Sequence, residues 1–159
     1  MMDACSENFM REAVEAAELG VSRHDGGPFG AVVVREGRVV ARAWNRVIVA
    51  KDPTAHAEVN AIREACRFLG RFHLEDCELY TSCEPCPRCL GAIYWSRLRA
   101  VHYAATRDDA AAAGFSDAAV YAEVEKRPES RQVPFVKEDA AAAVAVMRAW
   151  MADEGKQAY

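Results

Sequence analysis

Pro53-Thr54-Ala55-His56-Ala57-Glu58 and, further along, Cys83-Glu84-Pro85-Cys86-Pro87-Arg88-Cys89 are the two stretches that decide how this chain is read. One imidazole and two thiolates make a zinc-favouring ligand set. Cys86 and Cys89 are three residues apart, so on a helix they share a face and can hold one ion. His56 and Glu58 are two apart and should not point the same way. That spacing leaves His56 as a ligand and Glu58 free to address a water beside the metal. Both motifs are expected to open helices, whose N-terminal partial positive charge favours thiolates. Three protein ligands leave a fourth tetrahedral position open, which is the catalytic pattern. The competing reading closes the site with Cys83 as a structural Cys3His centre in a non-catalytic, zinc-stabilised interaction module. Glu58 argues against that module, because a structural zinc has no use for a carboxylate next to its histidine.

Outward from these motifs, secondary structure follows from periodicity. Met10, Ala13, Val14 and Ala17 recur at helical spacing, and Gly20 can end that helix. Ser22 to Gly30 reads as a loop. Ala31–Val34 and Val39–Ala43 are short apolar strands, and Glu36-Gly37 is the turn between them. After Asn45 the chain loops to Pro53. A helix is expected over Thr54–Phe68 with Gly70 as its stop, then a strand over Glu78–Thr81. Pro85 suits the first turn of the next helix, which runs to about Arg97. Ala100–Ala105 is a further strand. Asp108–Glu125 reads as one alanine-rich helix, Gln132–Val136 as a last strand, and Glu138–Met151 as a closing helix with Ala140, Val144, Met147 and Met151 on one side. Helices alternating with strands point to a three-layer α/β/α sandwich. No internal repeat or long linker interrupts the chain, so residues 1–159 are expected to form a single domain.

Composition narrows the partners. The chain has 159 residues, of which 52% are hydrophobic and 28% charged, an ordinary globular balance. A net charge of -4 supplies no electrostatic footprint for duplex nucleic acid or an anionic membrane, which favours a small-molecule substrate. The N-terminal stretch carries Asp3, Glu7, Glu12, Glu15 and Glu18 and no secretory apolar core. No run approaches the roughly 18 apolar residues of a membrane span. A cytoplasmic location is therefore expected. Three of six cysteines crowd into Cys83–Cys89, which in that compartment indicates metal or catalysis before disulfides. Cys5, Cys66 and Cys77 read as packed or incidental thiols.

The pair His56-Ala57-Glu58 and Pro85-Cys86-Pro87-Arg88-Cys89 matches the signature of zinc-dependent nucleobase deaminases. The chain resembles the cytidine deaminase-like superfamily and, within it, the bacterial guanine deaminase branch. The resemblance extends over Gly26-Gly27-Pro28-Phe29-Gly30-Ala31, Trp44-Asn45-Arg46, Tyr80-Thr81-Ser82-Cys83, Gly91–Arg97 and Ala112-Ala113-Gly114-Phe115, and ends at Tyr159. It implies a five-stranded mixed sheet between helices and a homodimer with exchanged C-terminal segments. It also implies one Zn2+ per subunit, held by His56, Cys86 and Cys89 and activating a bound water. Glu58 is then the proton carrier, base first and acid afterwards, and guanine is hydrolysed to xanthine and ammonia. By the same resemblance Asp117 serves catalysis from the far side of the substrate. Phe29, Asn45, Trp95 and, from the partner, Tyr159 bind the purine base. The chain departs from the pattern at Ser116, where relatives often carry a second acidic residue.

Taken without the resemblance, several of these residues have ordinary readings. Asn45 can be a turn residue, Asp117 a helix-start aspartate, Phe29 and Trp95 core, and Tyr159 a free tail. Deaminases of tRNA adenosine share both motifs, but an RNA-gripping surface must be basic. Here Lys137, Arg148 and Lys156 are balanced by Glu138, Asp139, Asp153 and Glu154. Cytosine and nucleosides remain alternative substrates.

Overall fold

The computed structural model describes residues 4–158, with side chains from residue 8 onward. Cys5, Glu7 and Asp3, and Tyr159 at the other end, lie outside the described side chains. The chain divides into two compact units, Met1–Asp117 and Ala118–Tyr159.

The first unit is built on a hairpin. β1 (Gly30–Arg35) and β2 (Arg38–Trp44) pair antiparallel through a two-residue turn. Glu36 and Gly37 both have positive φ, 50° and 71°, the conformation a tight hairpin turn demands. Val33 pairs with Ala41 and Val34 with Val39, so β2 carries one extra residue. β3 (Cys77–Cys83) pairs antiparallel with the other side of β1, and β4 (Ala100–Ala105) pairs parallel with β3. The sheet is mixed, with order β2-β1-β3-β4. α4 (Pro87–Trp95) is the crossover that parallel pairing requires.

Helices cover both faces. α1 (Ala4–Ser22) lays Phe9 and Ala13 on Val32, Val34 and Tyr80. α3 (Ala57–Leu69) lays Ala57, Ala61, Ile62 and Ala65 on Ala31, Val33, Ala41 and Leu79, joined by Ile93 of α4. β1 is therefore buried on both sides, and Val32 and Val33 have no exposed surface. Each such side chain contributes about 1.5–3 kcal/mol of burial. Three layers are present as expected. Small residues let α1 approach closely: a Cβ on Gly30 would stand 2.1 Å from the Ala13 carbonyl oxygen.

Several boundaries differ from expectation for identifiable reasons. α1 runs two residues beyond Gly20. A short helix, α2 (Val47–Ala50), interrupts the loop after Asn45. α4 begins later than Pro85, because Cys86 is its N-cap and Pro87 its first residue. The alanine-rich stretch is two helices, α5 (Arg107–Ala112) and α6 (Ala118–Glu125). Gly114, at φ 91°, ends α5, and the N–H of Phe115 returns to the Ala110 carbonyl. Gly70 does stop α3 as expected, with φ 65° and Arg71 N–H on the Cys66 carbonyl.

The second unit holds α6, a 3-10 turn at Pro128–Ser130, and α7 (Ala141–Ala152). The expected strand Gln132–Val136 is not formed, so the described sheet has four strands and not five. Pro134 has no N–H to give a ladder, and the Gln132 N–H is spent on the Glu123 carboxylate of α6. The Arg131 guanidinium lies over the Phe135 ring at 4.5 Å. On α7, Val144, Val146, Met147, Trp150 and Met151 are all exposed. Among the described residues no helix is long and apolar enough to cross a membrane.

Candidate metal and active site

Two helix N-termini carry the site. His56 is the N-cap of α3 and Cys86 the N-cap of α4, both in extended conformation. Each N-cap carbonyl accepts the first helical bond, from Asn60 N–H at 2.9 Å and Leu90 N–H at 2.8 Å. Cys86 and Cys89 thus converge as an N-cap and the third residue of its helix, and not as two positions on one helical face. His56 Nδ1 lies 3.5 Å from Cys86 Sγ and 3.4 Å from Cys89 Sγ, and the two sulfurs are 3.5 Å apart. Bond lengths of about 2.3 Å for Zn–S and about 2.0–2.1 Å for Zn–N put tetrahedral ligand atoms about 3.5–3.8 Å from one another. The triangle fits zinc, and His56, Cys86 and Cys89 are a group able to hold a metal ion.

The electrostatics agree. The hydrogen bond from Cys89, followed by that from His56, brings the Cys86 thiol down to about 3. The contact with Cys86, followed by burial, raises the Cys89 thiol. Cys83 stands apart from the triangle. Its Sγ faces the Thr106 carbonyl at 3.5 Å, and burial followed by the nearby Glu58 carboxylate raises it to about 11. With its thiol on the Thr106 carbonyl, Cys83 is not part of the His56, Cys86 and Cys89 group.

Glu58 is 6% exposed in the first turn of α3. Burial is the main cause that raises its pKa, with the Cys86 thiolate adding to it. Its carboxyl also meets its own N–H and the Cys89 thiol. It is a buried acid at the edge of the metal triangle, suited to both taking and giving a proton.

Asn45 is 4% exposed at the end of β2. Its Oδ1 accepts from Gly27 N–H at 3.2 Å and Val47 N–H at 3.1 Å. Two main-chain donors fix which end of the amide is oxygen, so Nδ2 is the end these two bonds do not use. Asn45 is thus a donor only, narrower than an amide read from sequence. A Cβ on Gly26 would lie 2.1 Å from that Oδ1, so the loop needs glycine there. The preceding Trp44 is pinned by its indole N–H on Asp25, 2.7 Å.

The remaining expected residues are less closely gathered. Phe29 is half-buried and meets Phe115 edge-on at 5.0 Å, which brings the segment before Asp117 over it. Asp117 is half-buried two residues on. Trp95 is 69% exposed and so is not core; on α4 it stands well round the helix from the buried Cys89 and Ile93. Tyr159 lies outside the described residues. Sequence reasoning missed Asn60, whose side chain bonds the Trp44 and Ala55 carbonyls, and it gave no role to Phe115. Neither stands out locally, since Asn60 reaches Trp44 and Phe115 reaches Phe29 across contacts distant in sequence.

Residues 3–105 match the family of the cytidine and deoxycytidylate deaminase zinc-binding region. The chain is 50% identical over 153 residues to a guanine deaminase of Bacillus subtilis (strain 168), covering 96% of this chain and 98% of that protein. It is 47% identical over 96 residues to a tRNA-specific adenosine deaminase of Aquifex aeolicus (strain VF5), covering 60% of each. The X-ray structure of guanine deaminase from Bacillus subtilis superposes with a TM-score of 0.94 at 49% identity, over 99% of both chains.

Proposed function

The chain belongs to the zinc-dependent cytidine and deoxycytidylate deaminase family, in its guanine deaminase branch, and from that premise we propose that it hydrolyses guanine to xanthine and ammonia. The observation that carries deamination is the His56-Cys86-Cys89 triangle with Glu58 buried at its edge. The choice of guanine is supported by the breadth of similarity. It runs almost the whole chain for the guanine deaminase, but covers 60% for the tRNA deaminase. A net charge of -4 also suits a small base better than an RNA.

His56, Cys86 and Cys89 would hold the zinc, which when bound would supply Lewis acidity and lower the pKa of a water to about 7. Glu58 takes a proton from the attacking water, which adds to the ring carbon bearing the exocyclic amine. Glu58 passes that proton to the ring nitrogen, then takes the second one from the hydroxyl of the adduct and gives it to the amine, which departs as ammonia as the carbonyl forms. Asn45 Nδ2 donates to an acceptor on the purine edge, and Phe29, backed by Phe115, lines a face of the base. Asp117 completes the proton path from the segment beyond Phe115. Trp95, exposed on α4, contributes to a base only across a subunit boundary. Two chains pair and exchange C-terminal segments, bringing the partner's terminal tyrosine to the base; the exposed apolar side chains of α7 support this. A cytoplasmic setting keeps the ligand thiols reduced.

The test is ammonia release by the zinc-loaded protein from guanine, guanosine, cytosine, cytidine, adenine and an adenosine-bearing tRNA stem-loop. Release from guanine with xanthine formed is expected. Release from another member alone would overturn the substrate assignment and leave the chemistry. Silence across the panel with zinc bound would overturn both.

A further inference from the structure

Asn60 lies on α3 just past the first turn, and its side chain reaches back across the helix start. Its Nδ2 donates to the Trp44 carbonyl at 3.0 Å and to the Ala55 carbonyl at 3.2 Å. Both amide hydrogens are thereby used. The two carbonyls belong to different segments, each one residue ahead of a site residue: Trp44 precedes Asn45 and Ala55 precedes His56. Arg46 N–H donates to the same Ala55 carbonyl at 2.9 Å, so the two segments are tied on both sides of Asn45. Helix formation does not explain asparagine here, because it is a weaker helix former than alanine or leucine. Ala55 is only 4% exposed, which leaves water little access to its carbonyl once that donor is lost.

We propose that Asn60 is a positioning residue that sets the distance between the substrate-reading amide of Asn45 and the metal-binding imidazole of His56. The inference rests on the reading of those two residues given above. His56 is also held by main chain, since its carbonyl accepts Asn60 N–H at 2.9 Å, a bond any residue at position 60 retains. The Trp44–Arg46 segment loses a side-chain tether when Asn60 is replaced. Asn45, and not the metal centre, is therefore the part that moves. Aspartate would set a carboxylate against two carbonyl oxygens, and alanine would remove both donors.

The experiment compares full-length, zinc-loaded Asn60→Asp, Asn60→Ala and Asn45→Ala proteins with both double variants. The alanine variant carries the test if the aspartate variant does not fold. Expected are unchanged zinc stoichiometry, a KM for guanine raised about ten-fold, the scale of one hydrogen bond, and kcat within about three-fold. In the Asn45→Ala background the Asn60 substitutions should raise KM no further. Additive losses in the doubles, zinc loss parallel to the KM change, or an unchanged KM in both single Asn60 variants would overturn the proposal. If Asn45→Ala itself leaves KM unchanged, the reading of Asn45 fails, and the positioning role falls with it. An intact Asn45 effect with an additive Asn60 loss overturns the positioning role alone.

Discussion

At Cys83 the difference between a structural and a catalytic metal centre rests on one thiol's partner. The spacing Cys83-Glu84-Pro85-Cys86 is a zinc spacing, and nothing in it says whether the first thiol turns inward. The structure gives that thiol to the Thr106 carbonyl. Cys83→Ser should therefore keep one zinc per chain, whereas Cys86→Ser should lose it, both read by metal analysis of purified protein. Glu58→Gln should keep fold and zinc and lose at least about a hundred-fold in turnover, because an amide of the same shape cannot carry the proton. Near-normal turnover in that variant would remove Glu58 from the mechanism. The grouping of His56, Cys86 and Cys89 was legible from residue type and motif, although Cys86 stands on the N-cap and not on the helical face expected. The donor-only polarity of Asn45 was not, because Gly27 supplies it from eighteen positions away. The same is true of Asn60, sixteen positions from Trp44.

Among the elements, β1 is the one on which the others depend, since it is sandwiched between α1 and α3 and paired on both edges. Its first residue sits against the backbone of α1. Gly30→Ala should push that helix away, destabilising by about 1–3 kcal/mol, as overpacked interiors do. Thermal unfolding of the zinc-loaded protein measures this, and an unchanged midpoint would mean α1 yields freely. Elements with strong local signals were readable: Ala100–Ala105 is the strand expected, and Gly70 ends α3. Elsewhere local preference misled. Alanine favours helix through 108–125, but Gly114 offers a left-handed stop that composition does not weigh. Gln132–Val136 is apolar enough for a strand, yet strand formation needs an edge to pair with, and its first N–H is taken by Glu123. Pro85 and Pro87 are equally suited to a first helical turn, and only the cap at Cys86 separates them.

For the molecule as a whole, every described member of the metal cluster and Glu58 belong to the unit ending at Asp117. What the remaining residues add is a question about turnover more than about metal. Deleting Tyr159 should leave zinc content and unfolding midpoint intact while lowering guanine turnover, checked by steady-state kinetics. An unchanged rate would return that residue to the status of a free chain end. α7 raises a related point. It is 12 residues long, near the lower limit at which a helix persists by itself in water, and its Val144, Met147, Trp150 and Met151 are exposed. A helix of that kind persists when its apolar side is covered. If a second copy supplies the cover, mass action governs it: helicity and specific activity should both decline on dilution, along one binding curve.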